Sequence, residues 1–384
     1  MSRLSWSNPS VRSVVYQAGA LAAVALVIWY LVSNTLANLA ALHIASGFGF
    51  LRNEAGFAIG ESPIAYSAQD TYARAILVGL LNTLRVAAVG IVLATVLGTL
   101  IGIARLSKNW LVGRLASGYV ELIRNIPLLL QLFFWYSLIT ENTPGPRQAI
   151  HLLPGVFLSN RGIKLPMPVE HIAFDFAIWG FLLGVVAALG LAHWARKRRD
   201  TTGQSPSVGL WATVLVLGLP IVGWMAGGAP LALDVPRLQG FDFVGGVTLT
   251  PEYAALLIGL VIYTAAFIAE VVRSGIQSVD KGQWEAAGSI GLRRGAALRL
   301  VVLPQALRVI IPPMTNQYLN ITKNSSLAVA IGYPDIVAVA NTTLNQTGQA
   351  IEGILIVMAV YLAVSLSISL LMNLYNRRMA LVER

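Results

Sequence analysis

The amino-acid sequence predicts an all-α, polytopic membrane protein with about eight transmembrane helices. Its 384 residues are 56% hydrophobic and only 11% charged, whereas soluble domains have roughly 25% charged residues. Apolar stretches of about 20 residues, long enough to cross a bilayer, recur along the chain. Basic residues are concentrated in alternate connections between these stretches. These observations exclude a soluble enzyme and a disordered regulator, and the lack of cysteine excludes a disulfide scaffold.

Seven stretches are clearly long and apolar enough to span the membrane. An eighth, from Val309 to about Ala330, is apolar at its start but polar in its middle, so hydropathy alone leaves it in doubt. The seven are Gln17–Leu39, Leu80–Ala104, Gly118–Leu138, Phe174–His193, Val208–Met225, Tyr253–Ala269 and Ile354–Leu374.

The distribution of basic residues supports the eighth span. With eight spans and a cytoplasmic N-terminus, eighteen of the 27 Lys and Arg residues fall in cytoplasmic segments and six in outer segments. Membrane proteins concentrate Lys and Arg in their cytoplasmic loops, so this distribution predicts that both termini are cytoplasmic. The same bias explains the net charge of +10, which therefore indicates contact with membrane lipid and not with nucleic acid.

Residues 273–308 form an inner loop long enough to hold structure. Asp280 followed by Gln283 resembles a capping box and predicts a short helix from Lys281 to about Ile290. Gly291 can adopt the left-handed conformation that ends a helix. A second helical piece follows, and we expect Pro304 to close the loop.

A helix–glycine–helix arrangement at the membrane surface is suited to docking another protein. Arg293, Arg294 and Arg299 could instead contact anionic lipid head groups. Lipid contact does not explain the small patch Glu285-Ala286-Ala287, which would let another backbone approach closely. We therefore favour protein docking.

Five motifs make the sequence similar to a known family. The first resembles the EAA loop of ABC-importer permeases. It consists of Glu285-Ala286-Ala287, Gly291 four positions further on, and Val301-Val302-Leu303-Pro304. Two longer stretches resemble the polar amino-acid subfamily of these permeases: YVELIRNIPLLLQLFFWYS (119–137) and YTAAFIAEVVRSGIQSVDKGQWEAA (263–287). Two shorter stretches resemble the general L-amino-acid permeases: HIASGFGFL (43–51) and FLSNRGIKLP (157–166).

The resemblance implies an importer of L-amino acids in a bacterial inner membrane, driven by ATP and dependent on a binding protein. Its expected partners are a second permease subunit, a cytoplasmic ABC ATPase dimer and a periplasmic amino-acid-binding protein. The chain has no phosphate-binding Gly-x4-Gly-Lys-[Ser/Thr] loop, so it is not expected to be an enzyme or to hold a cofactor, and its partners would bind ATP. The coupling loop, residues 280–304, would sit in a groove of the ATPase; its assigned residues are Asp280, Glu285, Ala286, Ala287, Gly291, Leu303 and Pro304.

The resemblance also implies a domain organisation. Residues 1–76 would form an N-terminal transmembrane helix and a periplasmic loop, and residues 77–384 the permease domain. Residues 140–250 would be an insertion that adds two transmembrane helices.

The eighth candidate span has polar side chains on one helical face. Asn316, Asn320, Lys323 and Asn324, here called the polar stripe, recur at helical spacing, and Ser325 lies at its border. Charged groups inside a membrane usually face a cavity or the bundle interior, so the stripe could receive a zwitterion whose carboxylate pairs with Lys323. The same amides could instead hydrogen-bond to neighbouring helices, and both interpretations stay open.

Two glutamates near the inner helix ends are further candidates for the substrate path. Glu121 with Arg124, and Glu270 with Arg273, stand three residues apart, which favours intrahelical ion pairs. One glutamate could instead act as a gate or contact a substrate ammonium. The histidines have no metal-ligand spacing, so no metal site is expected.

Two rival functions remain. A secondary carrier driven by an ion gradient would need no ATPase, but the EAA loop and the lack of a deep carboxylate pair argue against it. A membrane scaffold that transports nothing would not need a stripe of amides and a lysine.

Overall fold

The computed structural model describes residues 9–41, 46–202 and 208–379. Both chain ends, and with them the predicted position of the termini, lie outside the described residues. The helices are α1 (Pro9–Ala41), α2 (Tyr72–Ala104), α3 (Trp110–Asn125), α4 (Leu128–Asn142), α5 (Ile172–Thr202), α6 (Val208–Ala226), α7 (Pro251–Gln277), α8 (Lys281–Ser289), α9 (Arg294–Ala297), α10 (Leu303–Asn324), α11 (Ile336–Thr347) and α12 (Ala350–Met379).

The chain forms two compact units. One contains residues 1–136 and 255–384, and the other contains residues 137–254. The predominance of helix confirms the predicted fold class.

The predicted span count is confirmed, with one correction. In the described part of the chain seven helices are long and apolar enough to cross a membrane, or eight if α3 and α4 count as one broken span. The predicted continuous span Gly118–Leu138 is wrong, because α3 and α4 meet at an angle of 103°. Proline disfavours helical geometry in the residue before it, and Ile126, which precedes Pro127, is extended (φ −100°, ψ 125°).

Small residues let α2 and α7 pack closely in the first unit. A Cβ atom placed on Gly98 would lie 2.6 Å from Ile268 and 2.8 Å from the Ala265 carbonyl oxygen. One turn further on, a Cβ on Gly102 would lie 2.8 Å from the Ala269 carbonyl oxygen. Such close approach of backbones is how membrane helices gain packing energy without a hydrophobic driving force.

We therefore expect Gly98→Ala to destabilise the protein, because overpacking a tight helix contact costs about 1–3 kcal/mol. The thermal unfolding midpoint of the purified protein measures this loss. Gly190→Ala is the matched control, because a Cβ at this helical glycine meets nothing within 4 Å. Equal midpoints for the two variants would contradict the packing assignment.

Helix α10 continues directly from a π-helical turn, Leu298–Val302, and Pro304 lies at this junction. The candidate span runs over Gly295–Ile331, so Pro304 lies inside a helical segment and does not close the loop as expected. Residues Ile310, Met314 and Ile321 face the core shared with α2 and α7. After α10 the chain continues as a 3₁₀ helix, Ser325–Ile331, and turns at Gly332, which has a left-handed φ of 79°.

The second unit combines a helical hairpin with short strands. Gly180 and Gly184 of α5 lie against the backbone of α6, where a Cβ would approach carbonyl oxygens to 2.5 Å. The strands are β1 (Ile150–Leu153), β2 (Val156–Ser159), β3 (Gly162–Leu165), β4 (Met167–Pro168), β5 (Leu233–Asp234), β6 (Arg237–Gln239), β7 (Asp242–Val244) and β8 (Val247–Leu249). They form small antiparallel sheets with the strand orders β1-β2-β3-β8, β4-β5 and β6-β7.

Candidate functional site

The coupling loop contains the helix and the glycine turn that its sequence predicts. The Asp280 carboxylate accepts a hydrogen bond from the N–H of Gly282 (2.6 Å) and caps α8. Gly291 follows the helix with φ 77°, the left-handed conformation expected of it. The second half of the capping box does not form, because the Gln283 side chain accepts a hydrogen bond from Gln305 of α10 (3.0 Å). This bond ties α8 to the start of α10.

The coupling-loop residues differ in exposure. Glu285, Ala286, Leu303 and Pro304 are exposed. Ala287 is only 2% exposed, so it packs inside the loop and does not belong to an outward patch. Glu285 lines an open pocket of about 520 Å³, together with Lys281, Trp284, Gly288, Leu292 and Ala297.

The polar stripe lies on the more exposed side of α10. Asn316, Asn320 and Lys323 are exposed and Asn324 is half-buried. In the described part of the chain their side chains make no hydrogen bond or ion pair. Among the described residues, the stripe therefore makes none of the interhelical hydrogen bonds that the packing interpretation expects. Ser325 does not share this face: it is fully buried and its hydroxyl donates to the Thr322 carbonyl (2.7 Å).

Asp335 follows Pro334, where the sequence predicts a helix break at the periplasmic interface, but the structure buries Asp335 completely. It lies between two candidate spans and caps α11, where its Oδ1 accepts a hydrogen bond from the Ala338 N–H (2.8 Å). Its carboxylate also faces the buried hydroxyl of Tyr361. Burial raises the pKa of Asp335 to about 7, because a buried carboxylate loses its hydration.

Asp335→Asn should stabilise the protein at alkaline pH. The folded-state pKa is raised above the unfolded value of about 3.9, so the fold favours the neutral acid and ionisation destabilises it as pH rises. The penalty is on the order of 4 kcal/mol above pH 7 and becomes smaller as the pH falls below 7. Asn keeps the capping oxygen, whereas Asp335→Ala removes it. Unfolding midpoints from pH 5 to 8 measure the effect, and a gain that does not grow with pH would contradict this account.

Glu121 and Glu270 line a common cavity of about 470 Å³, here called the α3–α7 cavity. Its charged and polar lining residues are Arg105, Glu121, Arg124, Asn125, Glu270 and Arg273. The expected pair of Glu270 with Arg273 is present. The expected ion pair of Glu121 with Arg124 does not form. The Arg124 guanidinium lies instead over the Phe267 ring, 5.0 Å from its centroid.

Arg105 is one of the eighteen basic residues that the sequence assigns to cytoplasmic segments, and no sequence pattern indicated a role for it at this cavity. Arg105 forms an ion pair with Glu270 and donates a hydrogen bond to the Ser117 hydroxyl (3.3 Å). It therefore links the end of α2 to both α3 and α7. Its partner Glu270 lies 165 positions away in the chain, so no local pattern could have revealed the pair.

Comparisons with known proteins extend over almost the whole chain. The family model "Binding-protein-dependent transport system inner membrane component" matches residues 90–381. The putative amino-acid ABC transporter permease protein YhdX of Escherichia coli (strain K12) is 53% identical over 99% of this chain and 97% of its own length. The general L-amino acid transport system permease protein AapQ of Rhizobium johnstonii is 49% identical over 100% of this chain and 96% of its own length.

A third relative is more distant. The glutamate/glutamine/aspartate/asparagine transport system permease protein BztB of Rhodobacter capsulatus is 41% identical over 92% of this chain and 90% of its own length. Together these matches confirm the resemblance predicted from the sequence motifs and favour an ABC permease over a secondary carrier. The chain belongs to the binding-protein-dependent transport system inner membrane components, the family of the amino-acid ABC transporter permeases.

Proposed function

We propose that this chain is the permease subunit through which an ATP-driven importer moves L-amino acids across a bacterial inner membrane. The observation that supports this most strongly is the exposed polar stripe on a candidate span. A lysine and several amides facing lipid would be costly. A second permease subunit or a water-filled path between the two subunits would supply the polar surroundings that the stripe needs.

The remaining partners follow from the division of labour within the family. ATP would be bound and hydrolysed by a pair of separate cytoplasmic subunits, and a periplasmic binding protein would deliver the amino acid. In this arrangement the coupling loop faces the cytoplasm, and so do both chain ends. The exposed Glu285 and Ala286, next to the pocket lined by Trp284 and Leu292, would contact the ATPase.

Uptake into membrane vesicles tests the proposal against the secondary-carrier alternative. Vesicles contain the complex purified through a tag on this chain, the binding protein is added outside, and labelled L-glutamine is the probe. We expect uptake to require ATP inside the vesicle and to persist when ion gradients are dissipated. Uptake driven by an ion gradient without ATP would overturn the proposed function.

A further inference from the structure

Helices α3 and α7, which line the α3–α7 cavity, pack directly against each other. Val120 of α3 is buried against Ala266 and Ala269 of α7, and the Tyr119 hydroxyl donates a hydrogen bond to the Ile262 carbonyl (2.7 Å). These contacts fix α3 on α7. They therefore position the part of α3 that carries Glu121 and Arg124 beside the cavity.

Part of the charge that lines the cavity is neutralised within the protein. Glu270 forms ion pairs with both Arg105 and Arg273, and Arg273 also donates a hydrogen bond to Gln277 (2.5 Å). This network occupies both oxygens of the Glu270 carboxylate. Glu270 is thus a structural link between α2 and α7, and it has less capacity left to bind a ligand.

Glu121 and Arg124 are different, because neither belongs to an ion pair among the residues that the structure describes. They stand three positions apart on α3 and line the same cavity. Asn125 also lines the cavity, and its side-chain amide donates a hydrogen bond to the Glu121 carbonyl oxygen (2.7 Å). The cavity therefore presents one carboxylate and one guanidinium that are not neutralised by a neighbour.

An α-amino acid carries the complementary pair of charges. A guanidinium binds a carboxylate through strong, charge-assisted hydrogen bonds, and a carboxylate accepts hydrogen bonds from an ammonium. The volume of about 470 Å³ falls within the range of roughly 300–1,000 Å³ typical of small-molecule sites. An anionic lipid head group would use Arg124 but would be repelled by Glu121.

We propose that the α3–α7 cavity binds the α-amino and α-carboxylate groups of an amino acid, with Arg124 contacting the carboxylate and Glu121 the ammonium. This proposal rests on the proposed function and adds a specific site to it. Helix α7 ends at Gln277, immediately before the coupling loop. The site is thus at the coupling-loop end of the helices, where a substrate would be held before its release.

The test removes each charge from the protein and the matching charge from the ligand. The intact permease–ATPase complex is placed in lipid nanodiscs without the binding protein. Three probes are titrated: L-glutamine, its Nα-acetyl derivative and its α-carboxamide. We expect the unmodified complex to bind L-glutamine about 10-fold or more tightly than either derivative, because each lacks one charged contact.

Each variant should lose one preference and keep the other. Glu121→Gln should bind L-glutamine and its Nα-acetyl derivative equally, and still reject the α-carboxamide. Arg124→Gln should show the reverse pattern. The matched control is Arg114→Gln, which removes an exposed arginine from the same helix outside the cavity and should keep both preferences.

The alternatives give different results. Equal weakening of all three probes in a variant would show a merely structural role and overturn the site, and so would unchanged preferences in both variants. Stronger binding of anionic lipid than of L-glutamine, lost only in Arg124→Gln, would identify a lipid site instead. If vesicles that contain the unmodified complex take up L-glutamine with ATP, the proposed function is supported even when these results overturn the binding site. Uptake without ATP would overturn that function separately.

Discussion

Gly291→Val should abolish most amino-acid uptake while the protein still inserts and folds normally. Gly291 has φ 77°, and a β-branched residue is a clear outlier in this conformation. The strain is about 1–2 kcal/mol, which shifts a two-state equilibrium roughly 5- to 30-fold. A Cβ at this position meets nothing within 4 Å, so the cost comes from the backbone conformation alone. The docked form of the coupling loop should be depopulated accordingly.

Two further variants make this prediction specific. Gly291→Asn should retain more uptake, because asparagine tolerates the left-handed conformation better than valine does. Gly295→Val changes a second glycine of the same loop, where φ is not positive and a Cβ again meets nothing within 4 Å. It should leave uptake near the unmodified level. Uptake in vesicles and recovery of the ATPase with the tagged chain are measured together, and normal values of both for Gly291→Val would refute the coupling role.

The coupling loop could be predicted well because its signals are local. An acidic N-cap residue, a short run that favours helix and a glycine at the end determine α8 within about a dozen residues. The same logic explains the failure at Gln283. A side chain that could hydrogen-bond to the backbone of its own helix can instead hydrogen-bond to a residue on another element, here Gln305. The sequence does not reveal which of the two hydrogen bonds forms.

The break between α3 and α4 had a local signal that hydropathy hides. Ile126-Pro127 favours an extended residue, yet the surrounding stretch is apolar enough to pass as one span. The strands of the second unit were also missed, because segments of two to four residues are too short to show alternation. Contacts such as Arg105 with Glu270 depend on how α2 and α7 meet. That arrangement follows from glycines such as Gly98, which a hydropathy profile does not register.

The burial of Asp335 could not be predicted from the sequence either. The sequence places it after Pro334, where a helix should break, and this much agrees with its position as the N-cap of α11. Its complete burial depends on the surrounding helices. A capping residue is usually exposed, so the sequence pattern pointed to the correct backbone role and the wrong environment.

Lys323→Met should reduce amino-acid uptake about 10-fold or more without loss of stability. Methionine keeps much of the apolar stem and volume of lysine, so little packing is lost. Lys323 is exposed in the isolated subunit, and its ammonium makes no ion pair with any described residue. If it meets the substrate carboxylate, the variant loses a charge-assisted hydrogen bond worth about 1.5–3 kcal/mol. Lys323→Arg keeps the charge and should retain part of the activity.

The packing interpretation predicts the opposite for the same substitution. If Lys323 only contacts a second permease subunit, a neutral side chain is easier to bury than an ammonium, and Lys323→Met should be harmless or stabilising. Lys108→Met serves as the matched control, because Lys108 is exposed in the connection between α2 and α3 and lies outside the polar stripe. Uptake and thermal midpoint are measured on the same preparation of each variant. Near-normal uptake with a raised thermal midpoint would exclude Lys323 from the substrate path. Single replacements of the amides Asn316, Asn320 and Asn324 would then test whether the polar stripe contacts the substrate.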